Sequence, residues 1–313
     1  MAATELSVSD LQSTLEFTTK LARTAGDLIL QGSQAIRSSG NVDEKKNSVD
    51  LVTEYDVKVE ELVKKELGSK YPNFKFIGEE SYAAGSRPPL SDDPTFCVDP
   101  IDGTTNFVHG FPHVCISLGL IYKRLPVLGV IYNPFLEQLY YAVKGQGAYL
   151  VQGSHEPAKL PLAVPRPLPS LSQALIGIEW GSDRSNDIVQ AKGDSFKRLA
   201  GNPKEGVVGG RMAHSLRSVG SAALNYSLVA QGGLDIYWPW DVCAGSVIAQ
   251  EAGCFVAGAH GMPLDNVASE AWLTGRKHFV IRAIGDSETE KGVETQKRLI
   301  KEFYETVQDV EAH

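Results

Sequence analysis

Asp99-Pro100-Ile101-Asp102-Gly103-Thr104-Thr105-Asn106 is the stretch on which the reading of this 313-residue chain turns. It follows the apolar run Thr95-Phe96-Cys97-Val98, so a strand is expected to end where the acids begin and a helix to start soon after. Two carboxylates separated by a proline-constrained turn can point the same way and hold hard cations through oxygen. Gly103 lets the backbone approach a ligand closely. Thr104 and Thr105 fall where the free N–H groups of a helix start offer a seat for phosphate. Asp-Gly-Thr on its own is equally an Asx-type turn with a helix cap, so the argument for a site rests on the whole octad.

Two further acids sit in comparable places. Gly78-Glu79-Glu80-Ser81 follows the short apolar run 74–77, and Trp240-Asp241-Val242 precedes a helical pattern carried by Val242, Val247, Ile248 and Ala252. Taken singly, the Glu pair reads as a solvated loop and Asp241 as a helix N-cap. Taken together, Glu79, Asp99, Asp102 and Asp241 are four acids at element ends, and clustering them without cations is opposed by Coulomb repulsion. The formal net charge of −8 sharpens the point. An acidic chain lacks the footprint of a nucleic-acid binder, and it handles an anionic substrate only where bound cations reverse the local field.

Around these motifs the periodicity predicts helices over 9–36 (capped by Ser9 or Asp10) and 53–71, then strands over 74–77, 95–99, 113–122, 126–132 and 138–143, with Gly145 and Gly147 closing the set. The proline-rich stretch 157–169 is the candidate boundary. It divides the chain into an N-terminal α+β unit over 1–155, with Glu79 and the Asp99–Thr105 motif, and a C-terminal α/β unit over 156–313, with Asp241. Beyond it come a strand at 175–178, helices at 187–199, 221–230 and 242–252, strands at 234–238, 254–257 and 279–283, and a charged helix at 289–307. The alternation predicts a layered α/β sandwich.

The four cysteines, Cys97, Cys115, Cys243 and Cys254, have apolar neighbours and no metal-ligand spacing, so they are expected as free thiols rather than a disulfide framework or a zinc site. The N-terminus shows no basic region leading an apolar run, and no stretch nears the ~20 apolar residues of a membrane span. A cytoplasmic protein with neither a membrane nor a nucleic-acid partner is the expectation.

The combination of Gly78-Glu79-Glu80, Asp99 to His109 as DPIDGTTNFVH, and Trp240-Asp241-Val242 resembles the signature set of the inositol monophosphatase family, the Mg-dependent, lithium-sensitive sugar phosphatases. The likeness extends to 49–56 (VDLVTEYD) and 217–222 (RSVGSA) and covers nearly the whole chain. It implies the αβαβα five-layer sandwich of that family, and two or three Mg²⁺ ions ligated by Glu79, Asp99, the Ile101 carbonyl, Asp102 and Asp241. It implies a catalytic set of Glu79, Thr104 and Asp102, with Glu79 and Thr104 positioning the water that attacks phosphorus in line. The Gly103 and Thr104 backbone N–H groups would hold phosphate, and Gly220, Ser221 and Ala222 would border the alcohol. Substrate would thus meet these residues together with Glu79, Ile101, Asp102 and Asp241. Asp56 resembles an outer acid near a third metal, and Lys45 or Lys46 a basic residue by the site. The variable length of the loop before Asp50 leaves both lysines open. The substrate implied is myo-inositol monophosphate or a similar small polyol phosphate, and relatives are commonly homodimers.

One feature departs from the family pattern. Members usually carry several more residues, including an acid that contacts substrate hydroxyls, between the strand 233–238 and the Trp-Asp of the metal ligand, whereas Trp238-Pro239-Trp240-Asp241 closes that gap at once. Either the substrate has shifted or Asp241 is displaced and the chain is a catalytically weak scaffold. The stretches 178–184 and 209–212 are similar to fungal relatives, some linked to quinate use, and sugar or nucleotide bisphosphates form a further substrate class. His109 and His113 are expected to pack and hydrogen-bond, and Trp238 and Trp240 to lie in a core or an interface.

Overall fold

A computed structural model describes residues 5–40, 42–45, 48–49, 51–86, 88–238, 243–274 and 277–308. Its first half holds α1 (Val8–Ser39), the two-residue ladder β1 (Asp43–Glu44) and β2 (Leu51–Val52), and α2 (Glu54–Lys70). β3 (Lys75–Gly78), α3 (Glu79–Ala83), β4 (Thr95–Asp102) and α4 (Thr104–His109) follow. Next come β5 (Cys115–Tyr122), β6 (Leu125–Asn133), β7 (Gln138–Val143), β8 (Ala148–Gln152) and β9 (Ala158–Lys159). Strands β3 to β9 form one seven-stranded sheet in sequence order, with β3 and β4 parallel and every later pair antiparallel.

The remaining elements are β10 (Leu175–Ile178), α5 (Asn186–Ala200), β11 (Ser215–Arg217), α6 (Ala222–Gln231), β12 (Ile236–Trp238), α7 (Ala244–Glu251), β13 (Phe255–Ala257), α8 (Glu270–Thr274), β14 (Phe279–Ile281) and α9 (Gly292–Thr306). Their strands form a five-stranded mixed sheet in the order β11-β10-β12-β14-β13.

Three buried clusters stack these parts. Alternation along the strands sends Ile116, Leu118 and Leu120 of β5 and Leu128, Val130 and Tyr132 of β6 toward Ala22, Ala25 and Ile29 of α1 and Val59 and Val63 of α2. On the opposite face, Cys115, Ile131, Tyr140 and Ala142 meet Leu224 and Tyr226 of α6 and Val247 and Ile248 of α7, which also cover Tyr237 and Val280 of the second sheet. The far side of that sheet packs Leu199 of α5 and Leu299, Ile300 and Phe303 of α9. The order is therefore helices, sheet, helices, sheet, helices, the layering expected from the sequence. α7 approaches the first sheet closely because a side chain at Gly129 would collide with the Ala244 backbone.

Several boundaries differ from expectation for identifiable reasons. α1 starts at Val8, not Ser9, because Ser7 is its cap. The Ser7 hydroxyl accepts the Asp10 N–H at 3.2 Å, and the Asp10 carboxylate accepts the Ser7 N–H at 2.8 Å, so Asp10 is the third helical residue of a capping box and not a cap itself. Gly145 and Gly147 do not close the sheet. Both sit at positive φ in a turn, and Ala148 and Leu150 carry the chain on into β8 as its buried positions. β1, β2, α3, β8, β9, β11 and α8 have no counterpart in the elements expected from the sequence. Trp238 is buried against Phe303, while Trp240 lies outside the described residues. All four cysteines are free; Cys97 is half-buried and the other three are buried. No described helix is long and apolar enough to cross a membrane.

Candidate active site

β4 runs three residues beyond its expected end, and the extra length contains a register shift. Asp99 pairs with Ser117 and Asp102 with Cys115, so three steps on β4 span two on β5. In a regular strand, residues three apart point to opposite faces. The one-residue bulge at the donor-less Pro100 brings Asp99 and Asp102 into phase with Ser117 and Cys115, which share a face.

Gly103 then turns the chain into α4 at φ 94°, and a side chain there would meet the His113 carbonyl oxygen at 2.9 Å and that of Gly220 at 3.0 Å. Asn106 completes the stitch by donating through Nδ2 to the His113 carbonyl at 2.8 Å and to the Val219 carbonyl at 2.7 Å. The octad is thereby fastened to the 217–222 loop of the other half of the chain.

Asp102 lies at the start of α6. Its Oδ2 accepts the Ser221 hydroxyl at 2.5 Å and the Ala223 N–H at 2.7 Å, and its Oδ1 accepts the Ala222 N–H at 3.1 Å. The Cys115 thiol approaches Oδ2 at 3.6 Å. Burial raises the Asp102 pKa, with the Ser221 hydroxyl and the two amides working against that rise. Ser221 and Ala222 are thus gathered at Asp102, and Gly220 lies against Gly103 and Asn106.

Thr104 opens α4 with its hydroxyl 3.2 Å from Asp56 Oδ1 and 3.2 Å from the Ile101 carbonyl oxygen. Asp56 is 1% exposed. Its other oxygen accepts the Thr53 N–H at 2.8 Å and the Thr53 hydroxyl at 2.7 Å, the capping box of α2. Burial raises the Asp56 pKa, the Thr53 bonds oppose that, and the Glu79 charge adds to it.

Glu79 is the first residue of α3. Lys45 donates to Glu79 at 2.9 Å and to Glu80 at 2.7 Å, which places Lys45 at the acids, while Lys46 lies outside the described residues. Burial works against the Lys45 charge, but the two carboxylates outweigh it and its pKa ends above the usual lysine range. Glu80 is pushed up to about 7, chiefly by burial, with Lys45 opposing and Glu79 reinforcing. Asp99 Oδ1 accepts the Ile101 N–H at 3.1 Å. Asp241 lies outside the described residues.

The donor chemistry suits a hard divalent cation, since every candidate ligand is an oxygen. The Glu79 charge raises the pKa of both Asp56 and Asp102, so these acids feel one another. Asp102 Oδ1 accepts the Ala222 N–H and has a second lone pair for a cation. Among the described residues no three His, Cys, Asp or Glu side chains surround a common point.

Two residues that sequence reasoning gave no role stand out. Glu179, just past β10, holds the 217–222 loop: its Oε1 accepts the N–H groups of Val219 at 3.0 Å and Gly220 at 2.9 Å and the Asn225 side chain at 3.0 Å, and its Oε2 accepts the Ser218 hydroxyl at 2.7 Å. Glu60 on α2 is 4% exposed and binds the start of α3. The available signal for Glu60 was an acid one turn beyond Asp56, between the apolar positions Val59 and Val63. His113 is half-buried and contributes its carbonyl to Asn106, and burial lowers its pKa.

The sequence profile of the inositol monophosphatase family matches residues 10–305. Protein qutG of Emericella nidulans is 40% identical over 97% of this chain and 96% of its own length. Inositol monophosphatase 2 of Saccharomyces cerevisiae is 44% identical over 71% of this chain and 76% of its own. The extragenic suppressor protein suhB of Bartonella henselae superposes with a TM-score of 0.71 over 94% of this chain and all of that one, at 22% identity, a likeness of fold. The chain belongs to the inositol monophosphatase family, whose members hydrolyse phosphate monoesters and need a divalent metal.

Proposed function

We propose that the chain is a Mg²⁺-dependent phosphomonoesterase acting on myo-inositol monophosphate or a similar small polyol phosphate, and that it works in the cytoplasm as a homodimer inhibited by lithium. Glu79, Asp99, the Ile101 carbonyl, Asp102 and Asp241 would hold two or three Mg²⁺ ions. Bound there, the ions would neutralise the acids, polarise the phosphoryl group, lower the pKa of the attacking water and steady the departing alkoxide.

The observation that carries this reading is the Thr104 hydroxyl, held between the buried Asp56 carboxylate and the Ile101 carbonyl. A hydroxyl has one proton and two lone pairs. With its proton directed at Asp56, Thr104 would offer a lone pair to a proton of water, orienting that water and passing its own proton to Asp56 as it takes the water's. Glu79 would steady the same water. The Gly103 and Thr104 N–H groups would receive the phosphate, and Gly220, Ser221 and Ala222 would flank the alcohol.

A second reading shifts the substrate. The shortened connection between Trp238 and Asp241, the likeness of 178–184 and 209–212 to fungal relatives linked to quinate use, and the similarity to the Emericella nidulans protein along the whole chain all support it. Phosphate release measured with Mg²⁺ across inositol, galactose, quinate-related and bisphosphorylated esters separates the two. Fastest turnover of inositol monophosphate supports the first reading and a preference elsewhere the second, whereas no release from any ester contradicts both and leaves a scaffold.

A further inference from the structure

We propose that Glu60 is a positioning residue for Glu79, capping α3 from a neighbouring helix; this rests on the reading of Glu79 as a metal ligand. α3 is five residues long, too short to be stable by itself, and its N-cap, Gly78, has no side chain to satisfy the amides of the first turn. Glu60 does so from α2. Its Oε2 accepts the Glu80 N–H at 2.7 Å, and its Oε1 accepts the Ser81 N–H at 2.8 Å together with the Ser81 hydroxyl. These are the two amides that follow Glu79, so the carboxylate that fixes them fixes the backbone from which Glu79 projects.

Gly78 supplies an independent observation. Its φ of −111° is open to any residue, so conformation does not call for glycine there. Space does: a Cβ at Gly78 would collide first with the Glu60 carboxylate and then, at 2.7 Å, with the Phe76 ring. The chain gives up a side chain at the end of β3 to let a buried acid reach the start of α3.

Asp56 and Glu60 lie one turn apart on α2, and residues four apart share a helix face. Asp56 meets the Thr104 hydroxyl and Glu60 meets the start of α3. One rigid helix therefore sets the spacing between Thr104 and Glu79, which open α4 and α3 at the ends of β4 and β3.

The test titrates the full chain with Mg²⁺ alone by calorimetry, beside thermal unfolding, for Glu60→Gln, Glu60→Ala, Gly78→Ala and Glu79→Gln. A glutamine keeps the shape but turns an NH₂ toward one of the two amides. Loss of a charge-assisted bond that holds a ligand should weaken Mg²⁺ binding about tenfold in Glu60→Gln and more in Glu60→Ala. Gly78→Ala should match Glu60→Gln, and adding it to Glu60→Ala should cost less than it does in the native chain, because only the contact with the Phe76 ring remains. The ester KM at saturating Mg²⁺ should stay within about twofold. Should Glu60→Ala not fold, Glu60→Gln and Gly78→Ala carry the measurement. If Glu79→Gln weakens Mg²⁺ binding while Glu60→Gln and Gly78→Ala bind it as the native chain does, whatever their melting temperatures, Glu60 is structural and the proposal is overturned. If Glu79→Gln binds Mg²⁺ undiminished, the ligand reading of Glu79 fails first.

Discussion

Asp102 and Ser221 lie 119 positions apart and share a 2.5 Å hydrogen bond that links the acidic octad to the other half of the chain. Ser221 does two things with one oxygen. It donates to Asp102, and as N-cap of α6 it accepts the Leu224 N–H at 3.3 Å. A carboxylate at a helix start also gains from the helix dipole. The same contacts thus fix the Asp102 carboxylate and join the octad to α6.

Ser221→Ala should destabilise the fold by about 1–2 kcal/mol, from the lost cap and the lost bond to a carboxylate. Chemical denaturation measures it. A change within about 0.3 kcal/mol would show the contact to be incidental.

Thr104→Val removes the hydroxyl and keeps the volume. Turnover should fall about 10²-fold or more with the Mg²⁺ requirement unchanged, while Thr104→Ser keeps most of the rate. Asp56→Asn should fall in the same range, and the double variant Asp56→Asn/Thr104→Val should lose little beyond either single one, because the two act as a unit. Steady-state kinetics with native-like turnover in Thr104→Val would remove the hydroxyl from the mechanism.

Glu80, raised to about 7 from an ordinary 4.5, makes stability depend on pH in the metal-free protein. A carboxyl whose pKa is raised on folding binds its proton more tightly in the folded state. Its contribution is therefore complete below about pH 4.5 and is lost as pH rises through about 7. In EDTA, melting temperature should fall over that window, and Glu80→Gln should flatten the fall. A pH series of thermal melts that superposes for the two proteins contradicts the assignment.

Glu179→Gln loosens the loop that Glu179 holds. The Val219 and Gly220 amides should exchange with solvent about 10-fold faster, the scale of one charge-assisted hydrogen bond, and the ester KM should rise while Mg²⁺ affinity stays put. Hydrogen exchange with mass readout on the 215–225 peptide decides it; unchanged protection means the loop stands without Glu179.

What the sequence made legible and what it hid divide along a physical line. The octad, the apolar stripe of α2 and the long apolar face of α1 are local patterns, so the helix start after Gly103 and the core faces were readable from spacing, whereas the end of β4 lies three residues beyond the expected one because a bulge leaves no mark on that spacing. β9 and β11 are two and three residues long, and strands that short carry no alternation to detect. Glu60 and Glu179 look like surface acids because each is held by two backbone amides 20 to 41 positions away, and an amide leaves no mark on residue identity. Lys45 and Lys46 differ in nothing a sequence records, and the contact of Lys45 with Glu79 and Glu80 exists only in three dimensions.

The most direct test is a crystal of the chain soaked in Mn²⁺, with the ions located by anomalous scattering. The account predicts peaks at about 2.0–2.3 Å from carboxylate oxygens of Asp99 and Asp102, with Glu79 on one of the ions and Asp241 sharing another. Mn²⁺ bound elsewhere, or Asp241 ligating no ion shared with Asp99 or Asp102, would contradict it.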